Sequence, residues 1–208
     1  KIESIASGTG ACKRIAVFSG SGKINISCGD NGQGATSSDN YMVQNFPKDA
    51  WGKKFLTSPT QVLDRNLFRV CVSDPAAIVK VNNQPITNYG PLTSSFYYEI
   101  SATNSPLKIE SDIPITVSQY ISSSGGCSNP GDLGDPEVIY LSPVEQNISS
   151  VLWNATPNSA IQEHYFNVVI PNSGTAISSF RLDGAAVPSS QFIPFPGNPS
   201  YSYLQKSL

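Results

Sequence analysis

The chain holds one histidine, His164, so any Ser-His-Asp relay would have to run through it. It sits in Glu163-His-Tyr-Phe-Asn167, at the start of a strand-like run, and the sequence contains no G-x-S-x-G motif. His164 therefore reads as a polar residue at a strand edge. One imidazole also falls short of the two or three that a catalytic zinc usually takes. Carboxylates are the remaining acid–base groups. Asp132, Asp135 and Glu137 cluster in Asn129-Pro-Gly-Asp-Leu-Gly-Asp-Pro-Glu137. Paired carboxylates can hydrolyse a glycoside, and a Gly-rich acidic loop can hold calcium through carboxylate and backbone oxygens. The spacing does not follow the EF-hand, and an ordinary structured turn is the expectation. Trp51 and Trp153 could serve as sugar platforms, but burial against a sheet is the commoner role of an indole. No catalytic, cofactor-binding or metal-binding residue is assigned, and no cofactor is expected.

Four cysteines are present, Cys12, Cys28, Cys71 and Cys127, and none lies in a C-x-x-C pair, so zinc-ribbon spacing is absent. Cys12 and Cys28 bracket Lys13-Arg-Ile-Ala-Val-Phe18, Ser19-Gly-Ser-Gly22 and Lys23-Ile-Asn-Ile-Ser27, which reads as strand, turn and strand. Folding this hairpin about Gly20 places Cys12 opposite Cys28, close to disulfide reach. A Cys12–Cys28 bridge is expected. Two buried free thiols, or cross-pairing with Cys71 or Cys127, are the alternatives. A disulfide implies an oxidising compartment.

The elements that would position these residues are strands. At 208 residues the chain can build a sizeable core. Charged residues make up 13%, about half the usual value of about 25%, and hydroxyl and amide side chains fill the gap. Such a surface suits a secreted or surface-displayed β protein. The net charge of -2 and the lack of any Lys/Arg cluster exclude a nucleic-acid partner. No run of 18 apolar residues exists, so the chain is not expected to span a membrane. It begins at Lys1 with no apolar signal region. Three N-x-[ST] sequons, at Asn25, Asn147 and Asn154, are about what this composition gives by chance.

Short runs rich in Val, Ile, Tyr, Phe and Thr alternate with Gly/Pro/Asn turns, and 16 Pro with 16 Gly would break long helices. Strands are expected over 14–18, 23–27, 54–58, 68–72, 77–81, 96–100, 107–110, 115–121, 137–141, 165–170, 177–182 and 191–193, with a single helical turn over 61–66. The tail from Phe192 to Tyr203, dense in Pro and aromatics, is not expected to form a central strand. The fold class is all-β, antiparallel and sandwich-like.

Similar blocks recur at an offset of about 96 to 101 residues. Arg14-Ile-Ala-Val-Phe18, Asn45-Phe-Pro47, Phe68-Arg-Val-Cys-Val72 and Val79-Lys-Val-Asn-Asn-Gln-Pro-Ile86 make the first set. Pro114-Ile-Thr-Val-Ser118, Leu141-Ser-Pro143, Phe166-Asn-Val-Val-Ile170 and Phe180-Arg-Leu-Asp-Gly-Ala-Ala-Val187 make the second. Two pseudo-repeated halves are expected, 1–110 and 111–208, as two small domains or one packed body, with the second incomplete at its end. Loops 29–40 and 122–135 are the expected contact surfaces, since rigid sheets commonly present binding residues on loops.

The ordered set of Ile15-Ala-Val-Phe-Ser-Gly20, Phe46-Pro-Lys-Asp-Ala-Trp-Gly52, Asp112-Ile-Pro-Ile-Thr-Val-Ser-Gln-Tyr120, Gly134-Asp-Pro-Glu137, Leu141-Ser-Pro-Val-Glu-Gln146 and Phe180-Arg-Leu-Asp-Gly184 resembles one family. It is the N-terminal domain of the IgG-Fc-binding protein, whose relatives occur on bacterial cell surfaces. The chain looks closer to the bacterial members. The animal pattern carries a Cys-x-His element where this chain reads Ser37-Ser-Asp-Asn-Tyr-Met-Val-Gln44. The resemblance implies a non-enzymatic, extracellular or cell-surface adhesion module with a protein or glycan partner, within a larger multidomain chain or complex. A structural or assembly subunit of a bacterial surface, type IX secretion or gliding-motility apparatus is the alternative.

Overall fold

The computed structural model of the chain describes residues 2–5, 8, 10–11, 13–27, 37–63, 65–125, 127, 135–154, 161 and 163–207. Over these residues it is all-β and antiparallel. The first strands are β1 (Phe18–Ile24), β2 (Asp39–Gln44), β3 (Gly52–Leu56) and β4 (Asn66–Val72). Then come the short β5 (Val79–Val81) and β6 (Gln84–Pro85), followed by β7 (Tyr97–Thr103) and the long β8 (Lys108–Ile121). The later part holds β9 (Glu137–Tyr140), β10 (Tyr165–Pro171), one helical turn α1 (Ala176–Ser179), β11 (Arg181–Leu182), β12 (Ala185–Ala186), β13 (Ile193–Pro194) and β14 (Tyr201–Ser207).

A seven-stranded sheet is organised around β8, which pairs with β3, β4, β5 and β9, while β4 also pairs with β7. Side chains alternate across a strand, so the even positions of β4, Phe68, Val70 and Val72, enter one core while Leu67, Arg69 and Cys71 take the other face. Ile115 and Val117 of β8 and Tyr98 and Ile100 of β7 join the same core, with Phe55, Val79, Val81, Ile86 and Ile109. Burying each such side chain is worth about 1.5–3 kcal/mol. A second, three-stranded sheet runs β10-β14-β13. Its Ile170 and Leu204 pack on Val187 and Phe192, beside Phe166, Val168, Phe180 and Leu182.

Several local expectations are overturned. No hairpin folds about Gly20. Residues 18–24 form the single strand β1, which pairs with β2 instead. A Cβ on Gly20 would overlap the Tyr41 carbonyl oxygen, so its glycine serves close strand approach rather than a turn. The expected strands 107–110 and 115–121 are one continuous β8, which runs unbroken through residues 110 and 111. Residues 177–182 are not one strand but α1 followed by β11. Among the described residues of 61–66 no helical turn forms, and β4 starts at Asn66. The prolines of the tail stop before Ser200, which leaves Tyr201–Ser207 free to form β14, the middle strand of its sheet. Expectations for 28–36 and 128–134 fall outside the described residues.

The same order of parts occurs twice. β1 pairs with β2, and the distal end of β8 pairs with β9. Each pair is followed by a proline and a 3-10 turn, at Lys48–Ala50 and Val144–Gln146. β4 pairs with β7, and β10 pairs with β14. Between those partners lies a small hairpin, β5-β6 or β11-β12. The tip residues, Asn82 and Asn83 or Asp183 and Gly184, have φ values of 50 and 68 or 49 and 81°, the left-handed region that tight hairpin turns require.

Candidate binding site

The two sheets meet along the loop 57–60 between β3 and β4. Thr57 closes onto Leu107 through two bonds of 2.9 Å, one from its own amide and one onto its hydroxyl. The Pro59 carbonyl accepts from Asn167 Nδ2 at 3.0 Å and from Gln205 Nε2 at 2.7 Å, so β10 and β14 are both pinned to that loop. Behind it lies a buried amide network. Asn66 Oδ1 accepts from the Thr60 amide, the Thr60 hydroxyl and Gln119 Nε2 at 3.2, 3.0 and 2.6 Å. Buried polar groups must be bonded to avoid a large desolvation cost, and this network fixes both the loop and the orientation of Gln119.

Along this seam opens a cleft of about 630 Å³. Its floor is aliphatic: Leu56, Ile121, Ile139, Leu141 and Val169. Period-2 alternation puts Glu137 and Ile139 of β9 on one wall and Tyr165, Asn167 and Val169 of β10 on the other. Glu163, His164, Gln119, Thr60 and Gln61 add polar lining, and the Tyr165 hydroxyl donates to Glu163. A concave, mostly apolar surface with a few convergent polar groups is the usual form of a ligand site. Ser58 also borders the cleft, but its buried hydroxyl has no hydrogen-bond partner, so no Ser58–His164 relay exists. His164 stands where the sequence puts it, directly before β10.

A second surface lies on the outer face of the larger sheet. Arg69 is stacked between Tyr97 and Tyr120, 4.8 and 4.9 Å from the ring centroids, and its Nε donates to Glu99 at 2.9 Å. Cys71, one pleat further, carries a free thiol whose pKa burial pushes up, against the pull of Arg69. The Tyr140 hydroxyl, raised chiefly by burial, donates to Asn45 Oδ1 at 3.1 Å. That contact and the Phe46–Tyr140 ring pair dock the end of β2 onto this face.

The other expected residues are placed as follows. Asp135 and Glu137 meet Asp39 at a smaller cleft of about 390 Å³ beside β2, while Asp132 lies outside the described residues. Among the described residues no three His, Cys, Asp or Glu side chains gather closely enough to hold a metal ion. Trp51 is half-buried, and Trp153 rests on Phe166 with centroids 5.9 Å apart. Cys12 and Cys28 lie outside the described residues, whereas Cys127 is buried and disulfide-bonded. Of the loops expected to make contacts, most of 29–40 and of 122–135 also lies outside them. Sequence reasoning missed the cleft, because its walls come from strands about 30 residues apart that only the seam brings together. Asn167 and Gln205, amides alternating with the core-facing Phe166, Val168 and Leu204, were the available signal.

Fold and site together define an all-β protein of several antiparallel sheets with a ligand-sized cleft where the seven-stranded and three-stranded sheets meet. Comparison with protein families matches residues 2–208 to the IgGFc binding protein family, and the chain belongs to that family. No curated protein and no solved structure matches it. Among the described residues no helix is long and apolar enough to cross a membrane.

Proposed function

We propose that this chain is a non-enzymatic binding or adhesion module that works outside the cell, secreted or at a cell surface, and holds a protein or glycan partner in the seam cleft. The family match over residues 2–208 carries this reading. The cleft supports it, because Asn167, Gln119 and Glu137 offer hydrogen bonds above an aliphatic floor. The scaffold is read as two units, 1–110 and 111–208, that share β8. The disulfide of Cys127 suits an oxidising compartment. With Cys71 free, Cys12 and Cys28 are the candidates for its other half, in place of the expected Cys12–Cys28 pair. Mapping of non-reduced peptides decides between them.

The test is a screen of immobilised glycans and cell-surface proteins. At least one should be retained, and Tyr165→Ala and Asn167→Ala should each weaken it about tenfold, or 1.4 kcal/mol, with the circular dichroism unchanged. Retention of nothing at high protein concentration sinks the reading. A second reading, a structural or assembly subunit of a bacterial surface, secretion or gliding apparatus, is favoured by the exposed apolar run Ile148, Val151, Leu152 and Trp153. Isolation from the native cell with a stoichiometric protein partner would select it.

A further inference from the structure

β8 does two jobs. Its distal end pairs with β9 on one edge and with β4, from Leu67↔Tyr120 to Val72↔Ile115, on the other, while β3, from Gly52↔Ile115 to Leu56↔Lys108, continues the β9 edge and closes the first unit. In the second part of the chain the places of β4 and β3 are taken by β10 and by residues 148–152. Neither has such a partner. β10 pairs with β14 on one edge, and among the described residues no strand pairs with the other. Residues 148–152 form no strand, and Leu152 is 98% exposed where its counterpart Leu56 is half-buried.

The opposite end shows the complementary feature. β1 stands where the distal part of β8 stands, paired with β2 as β8 is with β9. Its second edge pairs with nothing among the described residues, since its sheet has only two strands. Val117 of β8 is fully buried whereas its counterpart Val17 is only half-buried, and Phe18 at the start of β1 is 60% exposed, with Ile15 just before it exposed too. An acceptor edge lies at one end and a donor edge at the other, each with uncovered apolar side chains.

We propose that β10 and residues 148–152 form a strand-acceptor slot, and that its occupant is the β1 region of a second copy of this chain. Ile15-Ala-Val-Phe18 of that copy runs antiparallel to Phe166–Ile170, in the place β8 takes beside β4. Backbone hydrogen bonds along the edge supply affinity, and alternate side chains supply register. The contact is head-to-tail, so copies join in open chains rather than closing as a symmetric pair. This rests on the two-unit reading above and is independent of any ligand in the cleft.

The full chain is examined by sedimentation across concentrations, alone and with two synthetic peptides, residues 13–24 and residues 113–121. The expected result is a mass that rises with concentration, collapses to monomer when the 13–24 peptide caps the slot, and weakens at least tenfold in Val151→Lys/Leu152→Lys. Both substituted positions are exposed, so the variant should keep the native circular dichroism. A chain that stays monomeric up to about 1 mM overturns the proposal. Binding of the 113–121 peptide by such a monomer shows that the slot exists but takes a strand other than that of a second copy. Binding of neither peptide removes the slot and the two-unit reading with it.

Discussion

Asn66 concentrates more consequence than any other polar side chain. It is 1% exposed, it accepts three bonds, and its Nδ2 reaches the Thr103 carbonyl at 3.4 Å. Asn66→Ala would strand Thr60 and Gln119 and is expected to cost about 2–3 kcal/mol in urea unfolding. Retention of the cleft's ligand by a variant this destabilised would show that Gln119 needs no such positioning. Cys71 carries a pH signature. Burial raises its thiol, so across the window just above the ordinary value of 9.0 the unfolded chain ionises first and the folded chain keeps its proton. Stability contributed by that proton is present at neutral pH and is lost as pH climbs through the raised value. The denaturation midpoint should fall above pH 9 and fall less in Cys71→Ala, and alkylation of native Cys71 should lag a free thiol at pH 8. Residue-scale reading found Asp135 and Glu137 as sequence neighbours and His164 apart from them. It could not find that Glu137 and Glu163 border one cleft, because that proximity runs through β8 and β10.

At the scale of elements, Gly52 shows how a turn disciplines a strand. A Cβ there would overlap the Pro143 ring, which leads into the 3-10 turn Val144–Gln146. That turn grips β3 through Lys53 N–H donating to Glu145 Oε1 at 3.0 Å and Gln146 Nε2 donating to the Ala50 carbonyl at 2.7 Å. Gly52→Ala should destabilise by about 1–3 kcal/mol, as overpacking does, and Pro143→Gly, which removes the overlapping Cβ and ring, should recover part of it in a double-mutant cycle. Full additivity of the two changes would refute the clash. Strong period-2 strands such as 68–72 and 165–170 were legible, since alternation alone assigns their faces. The hairpin about Gly20 was misread because glycine marks a turn and a close strand crossing equally well in sequence.

For the whole molecule, the passage of β8 through both proposed units predicts joint unfolding. Ile115 of β8 is fully buried, and Ile115→Ala should cost about 2–5 kcal/mol. Single-tryptophan variants Trp51→Phe and Trp153→Phe should report coincident urea transitions, the mark of two-state behaviour. Two separated transitions would show that the parts melt independently. The sequence by itself determined the all-β class, the recurring blocks and the family, because side-chain alternation, turn residues and the order of motifs are written along the chain. Tertiary structure alone decided that β1 pairs with β2, that two expected strands are one continuous β8, and that β9 and β10 wall a cleft. Pairing partners are chosen by which edges and faces are left open once the rest has packed, and that choice is made by contacts far apart in sequence.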